Sequence, residues 1–315
     1  MRGPKRRWLL LAPLAAATFA MVAEPHAAAD NPDPAEATER CATRLSVAIL
    51  GKSPSAALLG GSGPQAQVDA MLEDPAFVER FSSFLNGRFN SQPGTAPDKD
   101  SAYFLTRYVL DKKLPYKEIF VGKYDVRGSN GTVKVTVDPD GLGYFRSDPW
   151  LRRYAGNEQD GYKISTAYRI MNNTVGLKLV ATTDSPGTDI SETGRQANAC
   201  RGCHADGWFA LDKVSKVLSR RRGTGNSMSF DSPTDGPQKI LDGATISNDK
   251  ELVTALVDSQ QFKFNACRLA FSFLYGRPET TCEAPAFDRC MTDFTATGTM
   301  QSALAAIAKD PGFCE

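Results

Sequence analysis

Apolar residues along this 315-residue chain recur mostly at helical spacing, three or four positions apart, which predicts a mainly α protein. From Glu39 onward, Leu45, Val47, Ala48 and Leu50 predict a helix that ends at Gly51. Val68, Met71 and Leu72 give a further helical turn. Asp74 followed by Pro75 reads as an N-cap with proline at the first helical position. Phe77, Phe81, Phe84 and Leu85 then mark one face, and Gly87 is the expected stop. Tyr103, Phe104, Tyr108 and Val109 predict another helix, ended before Pro115. Three C-terminal helices are expected over 249–275, 284–295 and 300–309.

The middle of the chain is less regular. Val133, Val135 and Val137 alternate with polar residues and run into Asp138-Pro139-Asp140-Gly141. With 142–145 as the second strand, this predicts one small β-hairpin. Residues 150–154 and 165–171 read as short helical or irregular pieces, and Phe209, Leu211, Val214 and Leu218 predict a helix. Residues 222–237 are polar and Gly/Ser-rich and read as a loop, and 31–37 as a disordered lead rich in Pro, Ala and Glu. One pattern returns: Phe84-Leu85-Asn86-Gly87-Arg88 near the start matches Phe273-Leu274-Tyr275-Gly276-Arg277 near the end. Asp310-Pro311-Gly312-Phe313 likewise matches Asp74-Pro75-Ala76-Phe77. A diverged helical repeat would put helical arms on both sides of the middle segment.

That middle segment carries the chemistry. Cys200-Arg201-Gly202-Cys203-His204 is the attachment signature of c-type haem. Each thiol adds to one porphyrin vinyl group, and the two-residue spacer brings both sulfurs to one macrocycle edge. The residue after the second cysteine is carried under the iron, where its imidazole becomes the proximal ligand. A thioredoxin-like pair would need a βαβ setting, which the pattern lacks. A zinc site would need a second ligand pair, and no other C-x-x-C occurs. A chance match in a secreted, cysteine-bearing chain is the third alternative.

The start of the chain changes the setting of that motif. Arg2, Lys5, Arg6 and Arg7 precede an apolar run from Trp8 to Ala23, and Ala27-Ala28-Ala29 follows as a small-residue cleavage site. Residues 1–29 therefore read as a signal peptide, too short in its apolar core to span a membrane. Export to the periplasm or outside is expected, with no stable membrane insertion after cleavage. The remaining chain holds 33 basic and 35 acidic residues, about −2, which offers nothing to nucleic acid. The organisation expected is an N-terminal helical segment (30–124), a haem-c segment (125–247) and a C-terminal helical segment stapled by disulfides (248–315). Besides the motif, Cys41, Cys267, Cys282, Cys290 and Cys314 remain. One or two bridges are expected, one thiol is left over, and the connectivity stays open.

Only His26 and His204 occur in the chain, and His26 falls in the signal. One haem per chain is therefore the limit, and bis-histidine ligation within the chain is excluded. The sixth iron position falls to a methionine, to a less usual donor such as lysine, or to nothing. Met228, in a polar stretch after the motif, is the first candidate, and Met171 is its upstream rival. Trp208 and Phe209 are candidates to pack on the porphyrin. Lys213, Lys216 and Arg220-Arg221-Arg222 are candidates to face the propionates.

The segment Cys200-Arg201-Gly202-Cys203-His204-Ala205-Asp206-Gly207-Trp208-Phe209-Ala210-Leu211 resembles the haem segment of exported bacterial proteins associated with Planctomycete-type cytochrome c domains. The tail is similar to their C-terminal domain through Ser259 to Phe262, Cys267, Tyr275 to Arg277 and Phe313. Residues 45–89 are more weakly similar to their N-terminal helices. The chain departs in being much shorter and in reading Ala205-Asp206-Gly207 where an Asp-Pro-x-Gly pattern is expected. The resemblance implies an exported, mainly helical haem-c protein. The function expected is one-electron transfer to a redox partner protein, ahead of any catalysis. The alternatives are a haem enzyme with an open distal site, peroxidase-like, and a haem-based sensor or assembly subunit.

Overall fold

The computed structural model describes residues 33–61, 63–96, 99–129, 132–154, 164–180, 187–223 and 228–315. The expected signal peptide and His26 lie outside them. Helix α1 (Pro34–Leu45) starts where 31–37 was expected to be a lead, because Asp33 caps it: the carboxylate accepts from the Ala35 amide at 2.9 Å. It widens into a π turn over Ser46–Leu50 and ends at Gly51, which takes φ +69°. After the short α2 (Ala56–Leu59) and α3 (Val68–Met71), α4 (Pro75–Phe89) begins at the expected Asp74 cap. The Ala76 amide donates to that carboxylate and holds its pKa below the ordinary value.

Helix α4 runs past Gly87 to Phe89. Two residues of its last turn are buried: Phe89 stacks on Tyr144 at 5.4 Å, and the Asn86 side-chain amide donates to Asp100 at 2.8 Å. Those contacts outweigh the roughly 1 kcal/mol that an interior glycine costs a helix. Helices α5 (Ser101–Asp111) and α6 (Glu118–Val121) follow. The hairpin is present, but Thr132–Val137 (β2) pairs antiparallel with the upstream strand Tyr124–Ser129 (β1), not with 142–145. Leu142, Tyr144 and Phe145 are all buried, so that stretch has no solvent face to alternate with. It forms a turn instead, where Gly143 at φ +47° lets the Tyr144 amide reach the Ile119 carbonyl at 2.7 Å.

Helices α7 (Asp148–Tyr154) and α8 (Ile164–Val175) are the helical alternative expected there. Helices α9 (Glu192–Arg195), α10 (Asn198–Arg201) and α11 (Leu211–Lys216) surround the cysteine pair. Two further antiparallel pairs were not anticipated: β3 (Arg220–Arg222) with β4 (Ser229–Asp231), and β5 (Gln238–Ile240) with β6 (Ala244–Ile246). Strands of three residues are too short to show a period. The first pair is braced by Arg222 to Asp231 at 2.6 Å. Arg146 also lies over the Phe230 ring at 4.2 Å while bonded to buried Asp249.

The long helix expected over 249–275 is two, α12 (Asp249–Val257) and α13 (Gln260–Tyr275). Ser259 divides them: its hydroxyl donates to the Leu256 carbonyl at 2.6 Å and accepts from the Phe262 amide. Helices α14 (Ala284–Thr297) and α15 (Met300–Ala308) complete the chain. Among the described residues the fold is mainly helical with three small two-stranded sheets.

The two repeat-like helices meet in the core. Phe77, Phe81 and Phe84 of α4 surround Phe273 of α13 at centroid distances of 6.1, 5.1 and 5.3 Å. Both ends of the chain are tied there. Cys41 bridges Cys314, and Gln65 donates to the Ala308 and Asp310 carbonyls. Cys267 of α13 bridges Cys290 of α14, and Cys282 is left as an exposed free thiol.

Candidate functional site

The cysteine pair sits where α10 passes into a π turn, Gly202–Asp206. Three- and four-residue spacings on a helical turn put side chains on one side, so Cys200, Cys203 and His204 emerge together. The turn is closed by the Gly207 amide on the Gly202 carbonyl at 3.0 Å and bracketed by an Arg201–Asp206 ion pair. A side chain at 207 would bring its Cβ to 2.6 Å from that carbonyl, which is why glycine follows the motif here.

All three groups line one open cleft of about 290 Å³. Its remaining walls are Ala199 and Leu211 beside the motif, Ile164, Ser165 and Tyr168 from α8, and Leu179 and Val180. The cleft is mostly apolar, and the polar residues along it are few: the two cysteines, the histidine, Ser165 and Tyr168. Cys200 and Cys203 are free thiols, and Cys203 is exposed.

The imidazole of His204 is held from behind. Its Nδ1 lies 3.3 Å from Oδ1 of Asp212, the second residue of α11, which is only 3% exposed. A carboxylate only accepts, so Nδ1–H donates, and in the neutral imidazole the lone pair is then on Nε2. Arg195 of α9 in turn fixes Asp212, with Nε at 3.1 and 3.2 Å from the two carboxylate oxygens. A carboxylate on one ring nitrogen is also the outer partner that metal-ligating histidines in general use. The motif itself predicted Cys200, Cys203 and His204. Asp212 and Arg195 were not singled out, although an aspartate at the start of a helix eight residues after a histidine is a readable signal. The α8 wall, far away in sequence, left none.

The other candidates fall elsewhere. Met171 is fully buried in the core on α8, and Met228 is half-buried next to β4; neither is among the residues lining the cleft. Trp208 and Phe209 pack edge-to-face on each other at 5.3 Å, outside the cleft lining. Of the basic residues, Lys216 pairs with Glu192 at 2.7 Å and Arg222 with Asp231. Among the described residues no cluster of three or more His, Cys, Asp or Glu side chains is arranged to hold a bare metal ion. Among them, too, no helix is long and apolar enough to cross a membrane. No protein-family model matches the chain, and no curated protein or solved structure does.

Proposed function

We propose that this chain is an exported monohaem c-type cytochrome-like protein, periplasmic or secreted, that passes single electrons to a redox partner protein. The observation that carries it is the joint opening of Cys200, Cys203 and His204 into one apolar cleft, with His204 Nδ1 occupied by buried Asp212. The residues fit haem c on chemical grounds: two free thiols for two thioethers, an imidazole with Nε2 available to iron, and apolar walls for a porphyrin face. When attached, the haem supplies a one-electron ferric–ferrous couple. The chain's own residues anchor it by Cys200 and Cys203, ligate it by His204, and shield it from water by Ile164, Leu179 and Leu211.

A haem enzyme or sensor with an open sixth position is the second function, favoured by one observation: neither Met171 nor Met228 lines the cleft among the described residues. The test is expression with cytochrome c maturation machinery, followed by mass analysis and spectra of the ferric, dithionite-reduced and carbon monoxide-treated protein. Covalent haem with a far-red sulfur–iron band and no carbon monoxide shift establishes a His–Met electron carrier. Covalent haem that is high-spin and shifts with carbon monoxide moves the open-site function ahead. A chain with no covalent haem ends both.

A further inference from the structure

We propose that Asp212, held in place by Arg195, is the positioning residue that lowers the reduction potential of the His204 site; this rests on haem c being attached at Cys200 and Cys203. The Nδ1–H of His204 points at a buried carboxylate 3.3 Å away. A carboxylate is a stronger acceptor than a carbonyl or water. By drawing the Nδ1 proton toward itself it makes the imidazole a more basic ligand through Nε2. Ferric iron carries one more positive charge than ferrous iron and gains more from a basic ligand, so the couple shifts toward the oxidised form. Arg195 does two things for this. Its Nε contacts both Asp212 oxygens, which fixes the carboxylate's direction, and its charge offsets the cost of burying Asp212. The two helices that flank the motif thus supply one residue each to tune it: α9 brings Arg195 and α11 brings Asp212.

The experiment compares the midpoint potential and the iron–histidine stretching frequency of the parent, Asp212→Asn, Asp212→Glu, Arg195→Gln and the Asp212→Asn/Arg195→Gln pair. Losing the charge-assisted hydrogen bond is expected to change the ferric-to-ferrous ratio about tenfold at fixed potential. That is an upward shift of about 59 mV for a one-electron couple, with a lower stretching frequency. Asp212→Glu restores part of both. The double variant keeps the upward shift, which separates the hydrogen bond from an uncompensated Arg195 charge. If Asp212→Asn fails to take up haem, Arg195→Gln carries the test: an unneutralised Asp212 then shifts the potential downward. Covalent haem with potential and stretching frequency unchanged in the variants overturns this proposal alone. A parent chain without covalent haem overturns it together with the function it rests on.

Discussion

Cys200, Cys203 and His204 differ in what each contributes, and single substitutions separate them. Cys203→Ala leaves one thioether through Cys200, so the chain is expected to keep haem covalently, with a red-shifted reduced spectrum from the vinyl group that stays unsaturated. The Cys200→Ala/Cys203→Ala pair is expected to lose all haem under denaturing conditions while its circular dichroism stays that of the parent. His204→Ala is expected to keep both thioethers but lose the proximal ligand, read as a change of spin state. The contrast with Asp212 lies in visibility. The motif residues are adjacent in sequence and were legible because their spacing is the chemistry. Asp212 is legible only once α11 folds back and brings it to 3.3 Å from the ring.

Helix ends and faces decide which elements form. The start of α14 rests on Glu283, whose carboxylate accepts from the Thr280 amide at 2.8 Å and from both terminal nitrogens of Arg277. The Arg277 hydrogen bonds foremost, with those from Thr280, bring its pKa from an ordinary 4.5 down to about 2. A depressed carboxylate stabilises the fold above its unfolded pKa. That contribution is therefore complete above about pH 4.5 and is lost as pH falls toward 2. Thermal unfolding of Glu283→Gln is expected to show a shallower pH dependence than the parent across that window. Packing of the two repeat-like helices is tested by Phe273→Ala, which empties the space between Phe77, Phe81 and Phe84. A loss of about 3–5 kcal/mol in chemical denaturation is expected. The faces of α4 and α13 were legible because the 3.6-residue period is local. The stop at Gly87 was misleading because burial of Phe89 and Asn86, a tertiary effect, carries the helix two residues further.

Across the whole molecule, the ends are joined by covalent and packed contacts. The Cys41–Cys314 bridge spans 273 residues and Cys267–Cys290 spans 23. By the chain-entropy account the shorter loop contributes about 3 kcal/mol and the longer about 5 kcal/mol. Cys267→Ser/Cys290→Ser is expected to lower stability by about 3 kcal/mol, and Cys41→Ser/Cys314→Ser by more, measured by denaturant unfolding. Thiol counting on the parent, unfolded and unreduced, should find Cys282 free. Were Cys282 found bridged to Cys290 instead, the pairing of α13 to α14 would be wrong.

The sequence by itself determined the helical class, most helix faces, the Asp74 cap and the Gly51 end, and it carries the Cys200–His204 motif. Each depends on neighbours within a turn or two, where spacing and backbone preference act without the rest of the chain. Only the tertiary structure decided which cysteines pair, and that 142–145 is buried and so gives β2 no strand partner. It also decided that α8 walls the cleft, that Asp212 and Arg195 stand behind His204, and that Met171 and Met228 lie off the cleft lining. These depend on contacts between residues far apart in the chain, and such contacts leave no period in the sequence.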